Sequence, residues 1–205
     1  MKIIFATGNK NKIKEIKAIF ADTDFEVLSM HEIGLFMNIE ETGKTFEENS
    51  LLKARALLER ITADDPVHED CIVMADDSGF MVDYLDGEPG VYSARYLGED
   101  ASDEEKCAGI LERMKDVKEP AKRSCCFRAV ITAVLPSLEV IVTTGEMRGS
   151  VAFAPRGAKG FGYDPILYIP ELDKTASELS MEEKNAISHR GLALEAMKKE
   201  LAKRM

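Results

Sequence analysis

Two adjacent aspartates, Asp76 and Asp77, are the residues whose pattern most clearly indicates chemistry. They follow the apolar run 71–75, which predicts a buried strand, and consecutive side chains of a strand point to opposite faces. One carboxylate can therefore turn into the structure while the other faces a cleft. Ser78 and Gly79 add a small hydroxyl and a turn, a setting that suits a divalent cation or an attacking water. An acidic turn that caps the next element is the alternative.

A second pattern lies where the first predicted strand gives way to a helix. The apolar run 2–6 predicts a buried strand, and helical spacing of apolar residues predicts a helix from about residue 10 to residue 20. Free N–H groups and the dipole make such a helix start an anion site. The alternative is a solvated lysine face, and the segment lacks the glycines of a Walker loop. The residues of this turn are Thr7, Gly8, Asn9, Lys10, Asn11 and Lys12.

A capping-box pattern at 45–48 predicts the start of another helix. Charged residues that could bind a metal or a phosphate lie before and after this pattern. Glu40 and Glu41 precede it and could supply a second acid for a metal, or be ordinary helix-start acidity. Lys53 lies on the predicted helix and could reach a phosphate or remain a surface charge.

Two later segments have residues that suit a planar base. The stretch 160–165 combines two glycines with two aromatic residues, which allows close backbone approach and stacking, or a tight turn packed into the core. His189 and Arg190 could stack on a base or donate hydrogen bonds to it, although such a pair at a helix start often has no special role.

Composition narrows the class of protein. The chain has 205 residues and a net charge of −10, which argues against a broad nucleic-acid surface but not against a phosphorylated small molecule. The four cysteines show no CxxC spacing, so we expect no zinc site and a reducing compartment. No apolar run approaches the roughly 20 residues that span a bilayer, and the N-terminus is unlike a signal peptide. We therefore expect a cytoplasmic protein that does not bind a membrane.

The order of predicted elements is mixed α/β. A hairpin is predicted from strands at 123–135 and 139–148, and a capped helix from 102 to about 114. Short helices are expected to start at 175–178 and 180–183, with a C-terminal helix over 191–204. The acidic segment 61–70 reads as a surface loop. We expect a mixed sheet flanked by helices in one domain over residues 1–205.

Taken together, these segments resemble the inosine triphosphate pyrophosphatase family, which hydrolyses deaminated purine nucleoside triphosphates. The resemblance covers nearly the whole chain, and each motif occurs in the family's order. The motifs are Thr-Gly-Asn-x-x-Lys at 7–12, Glu-Glu-Thr-Gly at 40–43, Glu-Asn-Ser-Leu-Leu-Lys-Ala-Arg at 48–55, Ala-Asp-Asp-Ser-Gly at 75–79, Pro-Gly-Val-Tyr-Ser-Ala-Arg-Tyr at 89–96, Gly-Phe-Gly-Tyr-Asp-Pro at 160–165, and Glu-Glu-Lys-Asn-Ala-Ile-Ser-His-Arg at 182–190.

The resemblance implies an elongated α/β fold with two lobes and a central cleft, usually as a homodimer. It also implies Mg²⁺-dependent hydrolysis between the α- and β-phosphates of ITP, dITP or XTP. Asp77 would be the general base and a metal ligand, with Glu41 as a further ligand, alone or together with Glu40. The triphosphate would be bound by residues 7–12 and Lys53, with Ser78 beside it. The base pocket and its rim would be formed by Phe161, Gly162, Tyr163, Asp164, Lys184, His189 and Arg190.

Two other classes of protein remain as alternatives. A Maf-type pyrophosphatase for pyrimidine or modified nucleotides would have a Ser-Pro-Arg-Arg-type opening, whereas Thr7-Gly8-Asn9 stands in that place. A nucleotide-binding regulator without catalysis would be expected to lose the metal acids, yet Glu41 and Asp77 are both present.

Overall fold

Seven strands form one mixed sheet in the computed structural model, which describes residues 1–64, 70–158 and 160–204. Their order across the sheet is β2-β1-β3-β4-β5-β6-β7. Strand β1 is parallel to β2 and β3, whereas β6 is antiparallel to β5 and β7. This confirms the predicted mixed sheet. The strands are β1 Lys2–Phe5, β2 Glu26–Ser29, β3 Ile72–Val82, β4 Ser124–Val134, β5 Val140–Val151, β6 Leu167–Ile169 and β7 Lys174–Thr175.

The helices begin at the predicted capping signals. Thr45 accepts a hydrogen bond from the Glu48 amide at the start of the second helix, and Ser102 and Ser180 each form a complete capping box with a glutamate three residues on. The C-terminal helix begins at His189, two residues before the predicted start. The helices are α1 Lys10–Ile19, α2 Phe46–Asp64, α3 Asp103–Arg113, α4 Met181–Ile187 and α5 His189–Ala202.

The chain divides into two compact units. The first contains Met1–Asp77, Ala129–Gly145 and Arg190–Met205, and the second contains Ser78–Arg128 and Glu146–His189. Strands β3, β4 and β5 each contribute residues to both units.

The core of the first unit consists of two apolar clusters, one on each face of its strands. Ile72 and Met74 of β3 pack in one apolar cluster with residues of α1 and α5, whereas Val73 and Ala75 pack in another with residues of α2. This alternation is the period of two that a strand imposes on its side chains. It directs successive residues of β3 toward different helices.

The core of the second unit is centred on stacked rings. Phe80 lies on Tyr163 with 4.9 Å between ring centroids and an interplanar angle of 10°, and Phe127 packs beside both rings. Arg123 is buried in this unit, and its guanidinium donates to four backbone carbonyls at 2.8–2.9 Å. These carbonyls belong to Met114, Val117, Val151 and Ala152.

Two expectations from the sequence need correction. Strand β3 does not end at Ala75 but continues through Asp76, Asp77, Ser78 and Gly79 to Val82. Pairing within the sheet outweighs the weak strand preference of aspartate and glycine. The expected loop 61–70 is partly helical, because α2 extends to Asp64, and residues 65–69 lie outside the described part of the chain. Within the described residues, no helix is long and apolar enough to cross a membrane.

Candidate active site

Asp76 is the centre of a buried ion-pair network in the first unit. It is 2% exposed, and its Oδ2 accepts a hydrogen bond from Lys12 Nζ at 2.8 Å and lies 3.5 Å from Arg190 Nε. Arg190 also donates to Glu15 at 2.8 Å. Asp76 continues the face of Ile72 and Met74, which packs on α1 and α5, so strand alternation places its carboxylate against the cations of those two helices.

Asp77 continues the opposite face of β3 and meets helix α2. Its Oδ2 accepts a hydrogen bond from Asn49 Nδ2 at 3.0 Å, and its Oδ1 lies 3.3 Å from Lys53 Nζ. The same ammonium donates to Glu41 Oε1 at 2.9 Å. Two carboxylates from distant parts of the sequence therefore share one cation. The structure confirms that the aspartate pair splits to opposite sides.

The surroundings of the two aspartates shift their pKa values in opposite directions. Burial alone would raise the pKa of Asp76, but Lys12, Arg190 and Lys53 together hold that pKa well below its ordinary value. Burial raises the pKa of Asp77, and the Glu41 carboxylate adds to the rise against the lowering effect of Lys53. A carboxylate with a raised pKa accepts a proton more readily, as a general base must.

Lys53 is held in its charged form by the carboxylates around it. Burial alone would lower its pKa, but Asp76, Asp77 and Glu41 raise it above the ordinary value. Its side chain is only 12% exposed. The carboxylates of Glu41, Asp76 and Asp77 therefore stabilise a positive charge at the position of the Lys53 ammonium.

The strand-to-helix turn has the local geometry expected of a helix start. Thr7 Oγ1 accepts a hydrogen bond from the Asn9 amide at 3.1 Å, and Asn9 Oδ1 accepts one from the Lys12 amide at 3.3 Å. Asn9 thus caps α1. Gly8 and Lys10 are exposed beside it. Asn11 lies in α1.

The carboxylate oxygens of Glu41 and Asp77 fit a hard divalent cation. Such a cation takes oxygen ligands, and it can keep several waters or bind substrate phosphates in addition to one or two carboxylates. Among the described residues, no group of three or more His, Cys, Asp or Glu side chains is placed to hold a metal ion. Glu40 is exposed, whereas its neighbour Glu41 is half-buried on Lys53.

The second unit brings Phe161, Asp164 and Lys184 together. Asp164 is 1% exposed and accepts hydrogen bonds from the Phe161 amide at 3.0 Å and from Lys184 Nζ at 2.5 Å. The ammonium lies 4.8 Å from the centroid of the Phe161 ring, which is 57% exposed. Gly160 and Gly162 on either side adopt positive φ angles of 87° and 60°, which glycine tolerates. The loop therefore presents one aromatic face beside one cation.

Other predicted base-pocket residues of this unit are buried. Tyr163 donates from its hydroxyl to the Ser93 carbonyl at 2.9 Å and belongs to the core. His189 is 7% exposed and stacks on Phe127 with 5.0 Å between centroids. The two aromatic residues of the glycine-rich segment thus divide, with Tyr163 in the core and Phe161 at the surface.

Arg190 and Ser78 each belong to a different compact unit from most of their predicted groups. Arg190, which is predicted to line the base pocket, belongs to the first unit and pairs there with Asp76 and Glu15. Ser78, which is predicted to lie beside the triphosphate, belongs to the second unit and is half-buried. Asn49 and Glu15 contact predicted site residues but were not singled out from the sequence. An asparagine between two acids and a serine at a helix start gives only a weak signal for such a contact.

The seven-stranded mixed sheet and its flanking helices define an α/β protein. The Ham1 family profile matches residues 3–200, so the chain belongs to the Ham1 family. A protein of Clostridium perfringens named dITP/XTP pyrophosphatase is 47% identical over 200 residues, covering 98% of this chain and 97% of the relative. These matches confirm the resemblance that the motifs indicate.

Two solved structures show the same fold over the full length. The Ham1 protein of Staphylococcus aureus has a TM-score of 0.88 at 39% identity and covers 100% of both chains. A HAM1 protein from Coxiella burnetii also has a TM-score of 0.88, at 36% identity over 99% of both chains.

Proposed function

We propose that this chain hydrolyses deaminated purine nucleoside triphosphates, namely ITP, dITP and XTP, between the α- and β-phosphates. The products are the nucleoside monophosphate and pyrophosphate. The observation that carries the proposal is the pair of carboxylates, Glu41 and Asp77, that converge on the Lys53 ammonium. The full-length similarity to a protein named dITP/XTP pyrophosphatase supports the choice of substrate.

Asp77 is the proposed general base. Its raised pKa, caused first by burial, suits removal of a proton from the attacking water, and Asn49 and Lys53 hold its two oxygens. Glu41 and Asp77 would hold Mg²⁺, with Glu40 as a further candidate. When bound, Mg²⁺ supplies charge neutralisation and orientation of the phosphate oxygens.

The triphosphate is assigned to the turn at residues 7–12, with Lys53 and Ser78. The amide groups at the start of α1 and the Lys12 ammonium favour an anion. Among the described residues, the ion pairs around this turn join three cations, Lys12, Lys53 and Arg190, to four carboxylates, Glu15, Glu41, Asp76 and Asp77. Because its cations are already paired, this network needs an added cation to receive a triphosphate.

The base is assigned to Phe161, Gly162, Asp164, Lys184 and His189, with Tyr163 and Arg190 as further predicted members. The exposed Phe161 ring offers a stacking face, and Lys184 beside it can donate to the 6-keto oxygen of hypoxanthine or xanthine. Adenine has an amino group at that position and would leave the donor unpaired, so ATP should be a poor substrate.

We also propose that residues 1–205 act as one catalytic domain in a cytoplasmic homodimer. Four free, buried cysteines support a reducing compartment. The dimer rests on the family resemblance, and the mass of the protein in solution tests it.

A nucleotide panel tests the proposed function. ITP, dITP, XTP, GTP and ATP are each incubated with the protein and Mg²⁺, and pyrophosphate is measured separately from phosphate. We expect pyrophosphate from ITP, dITP and XTP at rates at least about tenfold above those from ATP. Faster hydrolysis of ATP than of ITP would overturn the proposal, and so would activity confined to pyrimidine nucleotides, which would favour the Maf-type alternative.

A further inference from the structure

We propose that Asn49 is a positioning residue that holds the two metal-binding segments in register through a single buried side-chain amide. The inference deepens the proposed function and rests on the roles given there to Asp77 and Glu41. Within the described part of the chain, the side-chain hydrogen bonds of Asn49 reach neither the phosphate turn nor the base segments, so its effect would reach catalysis through the residues it holds.

The Asn49 amide makes one bond to each segment. Its Oδ1 accepts from the Gly43 amide at 2.8 Å, and its Nδ2 donates to Asp77 Oδ2 at 3.0 Å. The Gly43 N–H can only donate and a carboxylate oxygen accepts, so both contacts require the same orientation of the amide. The side chain is 0% exposed, so water does not compete for either bond.

The loop before α2 approaches Asn49 so closely that a side chain at residue 43 would displace its neighbours. A Cβ added at Gly43 would lie 2.5 Å from Asn49 Oδ1 and 2.8 Å from Glu48 Cβ. Glu41, which binds Lys53, stands two residues before this anchor point. Asn49 therefore fixes the loop that carries the proposed metal ligand.

Asn49 also determines how Asp77 is presented. With Oδ2 bound to Asn49, the other oxygen, Oδ1, faces Lys53 and is directed to the ammonium that Glu41 shares. Asn49 and Lys53 are four residues apart on α2 and so lie on one helix face. A rotation of the Asp77 carboxylate would disturb the proposed base and the proposed metal ligand together.

Two substitutions separate the two bonds. In Asn49→Asp, the oxygen facing Gly43 is kept, but the donor to Asp77 becomes a second carboxylate oxygen. In Gly43→Ala, the amide donor to Asp77 is still present, but the added methyl group collides with Asn49 Oδ1, so the Glu41 loop or the Asn49 side chain must shift. Ser50→Ala is the matched control, because Ser50 is an equally buried polar residue of α2 whose hydroxyl pairs with Thr132 at 2.7 Å and not with Asp77.

Four quantities are measured on each full-length variant: kcat and KM for ITP, the Mg²⁺ dissociation constant by calorimetry, and the melting temperature. We expect Asn49→Asp to lower kcat about a hundredfold with KM for ITP changed less than about threefold, because misplacement of a reacting group acts on the chemical step. Gly43→Ala should weaken Mg²⁺ binding at least about tenfold. Ser50→Ala should lower the melting temperature and leave kcat and Mg²⁺ binding unchanged.

A folded Asn49→Asp protein with wild-type kcat would overturn the inference. So would a Ser50→Ala variant that loses as much activity at the same melting temperature, because the effect would then be loss of stability alone. Failure of the proposed function is distinguished by the wild-type protein, which would then release no pyrophosphate from ITP. In that event, Mg²⁺ affinity still tests the positioning role, since an unchanged affinity in both variants would refute it.

Discussion

Replacing Asp76 by asparagine removes the charge that two cations share. Lys12 and Arg190 both face the Asp76 Oδ2 atom, which is buried with the rest of this 2% exposed residue. Breaking a buried ion pair costs about 3–5 kcal/mol. Lys12 is 26% exposed to solvent, and in the variant Arg190 still has its ion pair with Glu15. We therefore expect a loss of unfolding free energy near the lower end of this range, at about 3 kcal/mol. For a chain of this length, that lowers the melting temperature by about 6–12 °C.

The same substitution at Asp77 should behave differently. Burial raises the pKa of Asp77, so its charged form is less favourable in the folded protein than in the unfolded chain. Lys53 retains Glu41 when the Asp77 charge is removed. Asp77→Asn should therefore melt at the wild-type temperature or above it, while losing activity. Residues kept for catalysis at the expense of stability show this behaviour.

The pH dependence of the melting temperature checks the sign of the Asp76 effect. The pKa of Asp76 is lowered on folding, so its stabilisation is fully present above its unfolded value of about 4 and is lost as the pH falls through the lower folded value. The difference in melting temperature between wild type and Asp76→Asn should therefore shrink as the pH falls below about 4. Scanning calorimetry in EDTA measures both variants, and an Asp76→Asn protein as stable as wild type at pH 7 would refute the reasoning.

Three further predictions concern other parts of the chain. Arg123→Lys should lower the unfolding free energy by about 2–4 kcal/mol in urea titrations, because an ammonium cannot reach all four carbonyls that the guanidinium serves, and a loss below about 1 kcal/mol would contradict this. Burial raises the pKa of Cys107 to about 12 and that of Cys126 to about 11, so a thiol reagent at pH 8 should label none of the four cysteines in the folded protein and all four in denaturant. Lys12→Ala should raise KM for ITP roughly tenfold through loss of a charge-assisted contact, with exposed Lys14→Ala as the control, and an unchanged KM would favour a solvated lysine face.

The alternation of side chains along β3 could be predicted from the sequence because it depends only on strand geometry. It correctly separated Asp76 from Asp77. The extent of the strand could not be predicted, because pairing within the sheet keeps Ser78 and Gly79 extended against their own preference. A local sequence pattern predicts the geometry within one element but not how far sheet pairing extends that element.

Contacts between distant segments could not be predicted from the sequence either, because they depend on how the elements pack. Arg190 pairs with Glu15 across 175 positions, and no local pattern links the two. Glu40 and Glu41 lie in a segment without helical or strand periodicity, so the sequence could not show which one meets Lys53. Asn49 lies in the motif at 48–55, but the motif does not show its partners, which are the Gly43 amide and the Asp77 carboxylate.

The products of ITP hydrolysis by wild type and by Asp77→Asn test the central claim most directly. With Mg²⁺ present, wild type should release IMP and pyrophosphate in equal amounts, and Asp77→Asn should remain folded while its kcat falls at least about a hundredfold, the usual contribution of a general base. Phosphate as the first product of the wild-type enzyme, or near-normal turnover by folded Asp77→Asn, would contradict the claim.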